Sequence, residues 1–153
     1  MHGEWDNLTA QNINFQVAQP TTPANYFHLL RRQMLRNFRK PMVIAAPKIG
    51  LKHPLAISDL SEFDLGTSFK PILESSYTNG SLAKKVILCS GKVGFDIQQR
   101  LEKSGVTNVK VVKVEEIAPF PVANLKNTLN HELNSADTEF FWVQEEPVNQ
   151  GAF

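Results

Sequence analysis

A single cysteine, Cys89, stands in the 153 residues. No disulfide can close within the chain, and no multi-cysteine metal site can be assembled. At the end of an apolar run, Cys89 reads as a small buried hydrophobe suited to a reducing compartment. An excess of one charge is also missing. The 16 Lys and Arg balance 15 Asp and Glu, which gives no electrostatic reason to expect direct contact with nucleic acid or an anionic membrane. No stretch reaches the roughly 20 apolar residues that span a bilayer, so a soluble chain without membrane insertion is expected. The opening MHGEWDNLTAQ has neither the apolar core of a secretory signal nor the Arg-rich character of a transit peptide, so no targeting segment is visible. Either targeting is unnecessary, or its segment has been removed or lies elsewhere.

With 42% apolar residues, the chain can bury one sizeable core, or one small domain plus the edge of another. NINFQV at 12–17 reads as a strand. Thr22 and Pro23 then provide an N-cap and a first helical residue whose missing N–H costs nothing. Phe27, Leu30, Met34 and Phe38 recur at helical spacing over 23–38, giving an amphipathic helix with a basic flank. Lys40-Pro41 stops it, and MVIAA at 42–46 is a continuous apolar run of the buried parallel type. Residues 47–66, rich in Pro and Gly, read as a connecting segment with short helical turns near 54–62. A second strand–helix–strand unit follows: KVILCS, then KVGFDIQQRLEKSG with Gly105 as its stop, then NVKVVKVEE. The Pro-Phe-Pro at 119–121 forces a turn before a short helix near 122–132, and EFFWVQEE at 139–146 is a final strand. The expected fold class is α/β: a three-layer domain with a largely parallel sheet over 67–153, a linker over 47–66, and the tail of a second α/β domain over 1–46.

Catalytic constellations are absent from this pattern. Ser90-Gly91-Lys92 follows a strand and opens a helix, but a phosphate loop needs a glycine where Val86 stands and a Ser or Thr where Val93 stands. A tight strand-to-helix turn is the better reading, and Gly91 with Gly94 lacks the third glycine of a dinucleotide fingerprint. His2, His28, His53 and His131 are scattered without ligand spacing. Nothing places a base beside Cys89, and neighbours such as Glu145 and Glu146 point to opposite faces of a strand. The Gly-Asp-Gly segment of a thiamine diphosphate site does not occur. No catalytic, cofactor-binding or metal residue is therefore assigned.

One local concentration of charge remains. Arg31, Arg32, Arg36, Arg39 and Lys40 lie within ten residues and are candidate interface or anion contacts, able to grip phosphates or carboxylates through bidentate bonds. The alternative is a solvated helix flank whose arginines pair internally with Asp and Glu.

At these residues a resemblance emerges. TTPANYFHLLRRQ at 21–33, RKPMVIAAPKIGLKHPLA at 39–56, LCSGKV at 88–93, VEEIAPFP at 114–121 and WVQEEPVNQGAF at 142–153 resemble successive motifs near the carboxy terminus of the thiamine-dependent decarboxylating component of 2-oxoglutarate dehydrogenase and its 2-oxoadipate dehydrogenase relatives. The resemblance implies a transketolase-type carboxy-terminal domain, preceded by the end of a pyrimidine-binding domain. It implies a family reaction in the tricarboxylic acid cycle: oxidative decarboxylation of a 2-oxo acid on thiamine diphosphate and magnesium, with acyl transfer to a lipoyl arm. It also places the cofactor-binding domain and the catalytic groups before residue 1, and a further stretch after residue 153, so no cofactor is expected to bind this chain alone. Ile49-Gly50 departs from the family's usual Ser-Leu, and Gly94-Phe95 from its two tyrosines. The mitochondrial matrix is the implied location in a eukaryote, the cytoplasm in a bacterium.

A strand–helix–strand segment at 12–46 needs further strands beside it, so a protein partner covering that open sheet, within a multi-subunit complex, is expected. Two readings follow: a scaffold segment of the dehydrogenase, inactive alone, or a non-catalytic subunit derived from it in a mitochondrial ribosome or respiratory complex.

Overall fold

A computed structural model describes residues 12–46 and 48–152. His2, Pro47, Phe153 and residues 1–11 of the expected 1–46 segment lie outside the described residues. The elements run β1 (Gln16–Ala18), α1 (Pro23–Leu35), β2 (Met42–Ile44), β3 (Ile72–Tyr77), β4 (Lys85–Cys89), α2 (Val93–Ser104), β5 (Val109–Val114), β6 (Glu116–Ala118), α3 (Val122–Thr128), α4 (Asn130–Leu133) and β7 (Glu139–Val143). Two compact units result. The first extends to Pro71 and includes Glu115–Pro121; the second comprises Ile72–Val114 and the chain from Val122 onward.

In the first unit, β1, α1 and β2 form the expected strand–helix–strand, with parallel register from Gln16↔Met42 to Ala18↔Ile44. Thr22 caps α1, its side chain accepting from the Asn25 N–H at 3.3 Å, and Pro23 opens the helix. The helix ends at Leu35 rather than Phe38, three residues before Phe38 and well short of Pro41. β2 is an outer strand of the order β2-β1-β6. Its Val43 is 50% exposed, so the run read as a buried strand lies at an edge: no described strand covers its far side.

The turn of α1 also differs from the simplest reading of its pattern. Ala24, Asn25, His28 and Leu29 face inward, and Leu29 packs with Ala18 and Phe69. The stripe of Phe27, Leu30 and Met34 points outward, 44%, 42% and 79% exposed. Polar residues displace it from the core because each finds a partner there. Asn25 exchanges bonds with the Lys70 backbone at 2.8 and 2.9 Å, and the His28 Nε2–H donates to the Glu62 carbonyl at 2.8 Å. Residues 57–71 belong to this unit, held by the Ala24 N–H on Ser58 Oγ at 3.1 Å and by Phe27 against Phe63.

The run 108–116, read as one strand, divides in two. Val109–Val114 is β5, and Glu116–Ala118 becomes β6, antiparallel to β1 with an irregularity at Val17/Ala18. Glu115 between them bonds Pro71 O through its N–H and accepts from the Gln19 N–H, at 2.8 and 2.7 Å. Such pairing would not be available to a single straight strand.

The second unit has the sheet order β3-β5-β4-β7. β4 is parallel to both β5 and β7, and β3 alone is antiparallel. The alternation of the strands sends side chains to two cores. Ile87, Cys89, Val109 and Val111 meet Val93, Ile97 and Leu101 of α2. On the opposite face Val86, Leu88 and Val112 meet Leu125 and Leu129 of the α3–α4 segment. Helix, sheet and helix make the expected three layers. Gly105 ends α2 in the left-handed region, φ 62°, with its N–H on Leu101 O.

Candidate functional site

The five basic residues at 31–40 divide by direction. Arg32 faces inward and forms a two-pronged bond with Glu116: Nη2 to Oε1 at 2.5 Å and Nη1 to Oε2 at 3.1 Å. Its guanidinium lies 4.2 Å from the centre of the Phe69 ring, adding cation–π attraction. Arg36 donates to Gln16 Oε1 and lies over Phe38. Burial holds Arg36 below its ordinary pKa, the Arg32 charge acts in the same direction, and Glu116 opposes both. Lys40 Nζ donates to the Ile13 carbonyl at 2.6 Å. Arg31 and Arg39 are exposed, each on a backbone carbonyl: Thr67 O at 3.3 Å and Arg36 O at 3.2 Å. The structure therefore brings Arg32 and Arg36 together around internal partners and turns Arg31 and Arg39 outward.

Glu115 was not singled out from the sequence. Fully buried, it accepts from Thr21 N–H and Asn25 Nδ2 at Oε2, 2.7 and 2.9 Å, and from Thr21 Oγ1 at Oε1, 2.6 Å. The carboxylate thus meets the start of α1, where unpaired N–H groups and the helix dipole favour negative charge. Adjacent residues Glu115 and Glu116 grip the two ends of one helix. The only signal in the sequence is that two acids interrupt an apolar strand just before Pro-Phe-Pro.

The Ser90-Gly91-Lys92 turn adopts a conformation suited to glycine, with Gly91 at φ 64°. Lys92 is engaged by acids, Asp96 Oδ2 at 2.5 Å and Glu145 Oε1 at 3.4 Å. Hydrogen bonds to Asp96 and then Glu145 raise its pKa. A phosphate would have to displace both carboxylates. Among the described residues no group of three His, Cys, Asp or Glu could hold a metal ion, and none of their helices is long and apolar enough to cross a membrane. Among the described residues no acidic cluster fits the magnesium of thiamine diphosphate.

Comparison with known proteins extends these observations. The family described as "2-oxoglutarate dehydrogenase C-terminal" matches residues 57–153. The "Probable 2-oxoadipate dehydrogenase complex component E1 homolog" of Dictyostelium discoideum is 45% identical over 150 residues, covering 97% of this chain. The "2-oxoadipate dehydrogenase complex component E1" of Danio rerio is 43% identical over 150 residues, also 97% of this chain. The "2-oxoglutarate dehydrogenase E1 component" of Brucella anthropi is 42% identical over 159 residues, again 97%. The chain spans 16% of the length of each of these relatives. Glu115 and Glu116 lie within residues 57–153 and the basic helix within the stretch shared with these relatives, and this chain belongs to the family of the carboxy-terminal region of 2-oxoglutarate and 2-oxoadipate dehydrogenase E1 components.

Proposed function

We propose that the chain acts as a scaffold segment of a 2-oxo acid dehydrogenase decarboxylating component, of 2-oxoglutarate or 2-oxoadipate type. Other polypeptide segments supply the thiamine diphosphate and magnesium site. The complete enzyme decarboxylates a 2-oxo acid oxidatively and passes the acyl group to a lipoyl carrier, in the mitochondrial matrix of a eukaryote or the cytoplasm of a bacterium. This chain contributes packing surface and is inactive alone.

The observation that carries this reading is the outward apolar stripe of α1, Phe27, Leu30 and Met34, on the same unit as the outer strand β2. Burying a side chain of this size is worth roughly 1.5–3 kcal/mol. With these groups 42–79% exposed, the part left in water forgoes a few kcal/mol, a sizeable fraction of the net stability of a small domain. A protein partner that covers the 12–46 segment recovers it. The domain division at 46 and 67 inferred from the sequence is retained within this proposal as the division between the enzyme's two domains.

Calorimetry with thiamine diphosphate and magnesium tests the reading. No heat of binding is expected from the isolated chain, and saturable micromolar binding would overturn it. Purification from the native source is expected to yield a thiamine-dependent polypeptide and a lipoyl acyltransferase. Ribosomal or respiratory subunits in their place would overturn the dehydrogenase assignment.

A further inference from the structure

The loop between β3 and β4 carries Asn79-Gly80, the one place in the sequence where glycine follows asparagine. Both residues are exposed. Gly80 sits in the left-handed region at φ 77°, and nothing lies within 4 Å of where its Cβ would stand. Neither the Asn79 side chain nor the Gly80 N–H has a hydrogen-bond partner among the described residues. The chain is anchored again just beyond. Ser81 Oγ donates to Asn108 Oδ1 at 3.1 Å, and the Lys84 N–H donates to the Asn108 carbonyl at 2.9 Å. A peptide nitrogen with no side chain in its way therefore follows an unengaged side-chain amide.

Other asparagines are held by the fold. Asn134 Nδ2 donates to the Asn130 carbonyl at 2.7 Å, and the N–H of the following Ser135 donates to Glu132 O at 3.1 Å. Asn25 is engaged through both atoms of its amide. Asn149 precedes Gln150, whose N–H bonds Pro147 O at 2.8 Å. Asn108 accepts from Ser81 and precedes Val109, whose branched side chain crowds the intervening nitrogen. Attack by the next peptide nitrogen on any of these amides would break a hydrogen bond or meet a side chain. At Asn79 it meets neither obstacle.

We infer that Asn79 is a site of spontaneous covalent modification, converted to a mixture of aspartate and isoaspartate through a cyclic imide. The Gly80 nitrogen gives its proton to hydroxide and bonds Asn79 Cγ, the Cγ–Nδ2 bond breaks, and Nδ2 takes up a proton and leaves as ammonia. Water then opens the imide. Cleavage between Cγ and the Gly80 nitrogen gives aspartate; cleavage between the Asn79 main-chain carbonyl carbon and that nitrogen gives isoaspartate, whose main chain runs through Cγ. Nothing is oxidised or reduced. Either product puts a carboxylate where a neutral amide stood, which takes the formal net charge of the chain from +1 to 0 and lowers the repulsion between copies. The isoaspartyl form also offers a carboxylate for enzymatic methylation. This inference concerns a loop of the second unit and stands independently of the enzymatic reading.

Ageing the intact folded chain in heavy-oxygen water at neutral to mildly alkaline pH, followed by peptide mass spectrometry, tests it. The Asn79 amide is expected to be lost first, with heavy oxygen in the product, while those of Asn108 and Asn134 persist. Both aspartyl and isoaspartyl peptides should form. Loss should quicken as pH rises, because hydroxide takes the Gly80 proton. An isoaspartyl-specific carboxyl methyltransferase should label the aged chain and not the fresh one, and Asn79→Gln, whose ring would be one atom larger, should abolish both the acidification and the label. Urea should speed loss at Asn134, whose bonds unfolding releases, and leave Asn79 nearly unchanged. The inference would be overturned by retention of the Asn79 amide while other asparagines react, or by aspartate as the sole product. Undiminished methylation of Asn79→Gln, or strong acceleration at Asn79 in urea, would overturn it too.

Discussion

Arg32 and Glu116 form a fork-to-fork ion pair, 2.5 and 3.1 Å, in which the Glu116 side chain is 7% exposed. Removing one partner leaves the other buried without compensation. Glu116→Ala is expected to cost about 3 kcal/mol in urea unfolding followed by far-UV circular dichroism. The double variant Arg32→Met, Glu116→Leu should recover much of that loss. Equal losses in the single and double variants would show that the pair is not the source.

Glu115 depends on donors from the opening of α1. Hydrogen bonds to a charged group are worth about 1.5–3 kcal/mol, so Thr21→Val and Asn25→Ala should each destabilise within that range. Both donors serve the same carboxylate, and the double variant is expected to depart from additivity. A double-mutant cycle by chemical denaturation measures the coupling, and strict additivity would contradict a shared hub.

Lys110 links Glu132 at 2.9 Å and Glu74 at 3.3 Å, on the sheet face covered by α3 and α4. Burial pushes the Glu132 pKa upward, but the hydrogen bond and charge of Lys110 outweigh it and leave a net lowering. Burial likewise pushes Lys110 down, and Glu132, then Glu74, reverse this to a net rise. The signs fix the window. Glu132 contributes stability above its ordinary value of 4.5, lost as pH falls through its lower folded value. Lys110 contributes below its ordinary 10.5, lost as pH rises through its raised folded value. Relative to Lys110→Met, the parent chain should hold its advantage from pH 5 to 10 and lose it at both extremes, measured by urea midpoints. A difference that persists unchanged well below pH 5 and well above pH 10 would contradict the assignment.

Gly94 lies in the first turn of α2, where the helix approaches the sheet closely. A Cβ there would lie 2.8 and 2.9 Å from Lys113 Cδ and Cγ and 3.3 Å from Cys89 Sγ. Lys113 is itself buried, with Nζ 4.8 Å from the centre of the Phe95 ring, so its stem has little room to yield. Gly94→Ala is therefore expected to lower stability by about 1–3 kcal/mol through overpacking, despite alanine's better helix propensity. Thermal unfolding checks this, and an unchanged or raised Tm would show that Lys113 moves aside.

Where local chemistry and packing agree, the sequence was legible. Thr22-Pro23 and Gly105 placed helix ends correctly, and both strand–helix–strand units were visible from apolar runs around helical periodicity. The orientation of α1 was not legible, because periodicity identifies a stripe and not what covers it. Asn25 and His28 find partners inside, and the Phe27 stripe is left outside. β3 and β6 escaped because ILESSY carries polar residues on an outer strand and EIA is only three residues long. Of the basic set, Arg32, Arg36 and Lys40 meet partners in part-buried positions while Arg31 and Arg39 stay exposed, and the partner of Arg32, Glu116, lies 84 residues beyond it. Such a distance carries no local signal.

Complementation tests the central claim most directly. The Dictyostelium discoideum relative, truncated to remove the stretch matched by this chain, should lack 2-oxoadipate-dependent reduction of an artificial electron acceptor. Adding this chain should restore turnover, and the outward-facing double variant Leu30→Asp, Met34→Asp should fail to do so while remaining folded by circular dichroism. The scaffold account would be contradicted if the chain turned over substrate alone, or if the folded chain restored nothing.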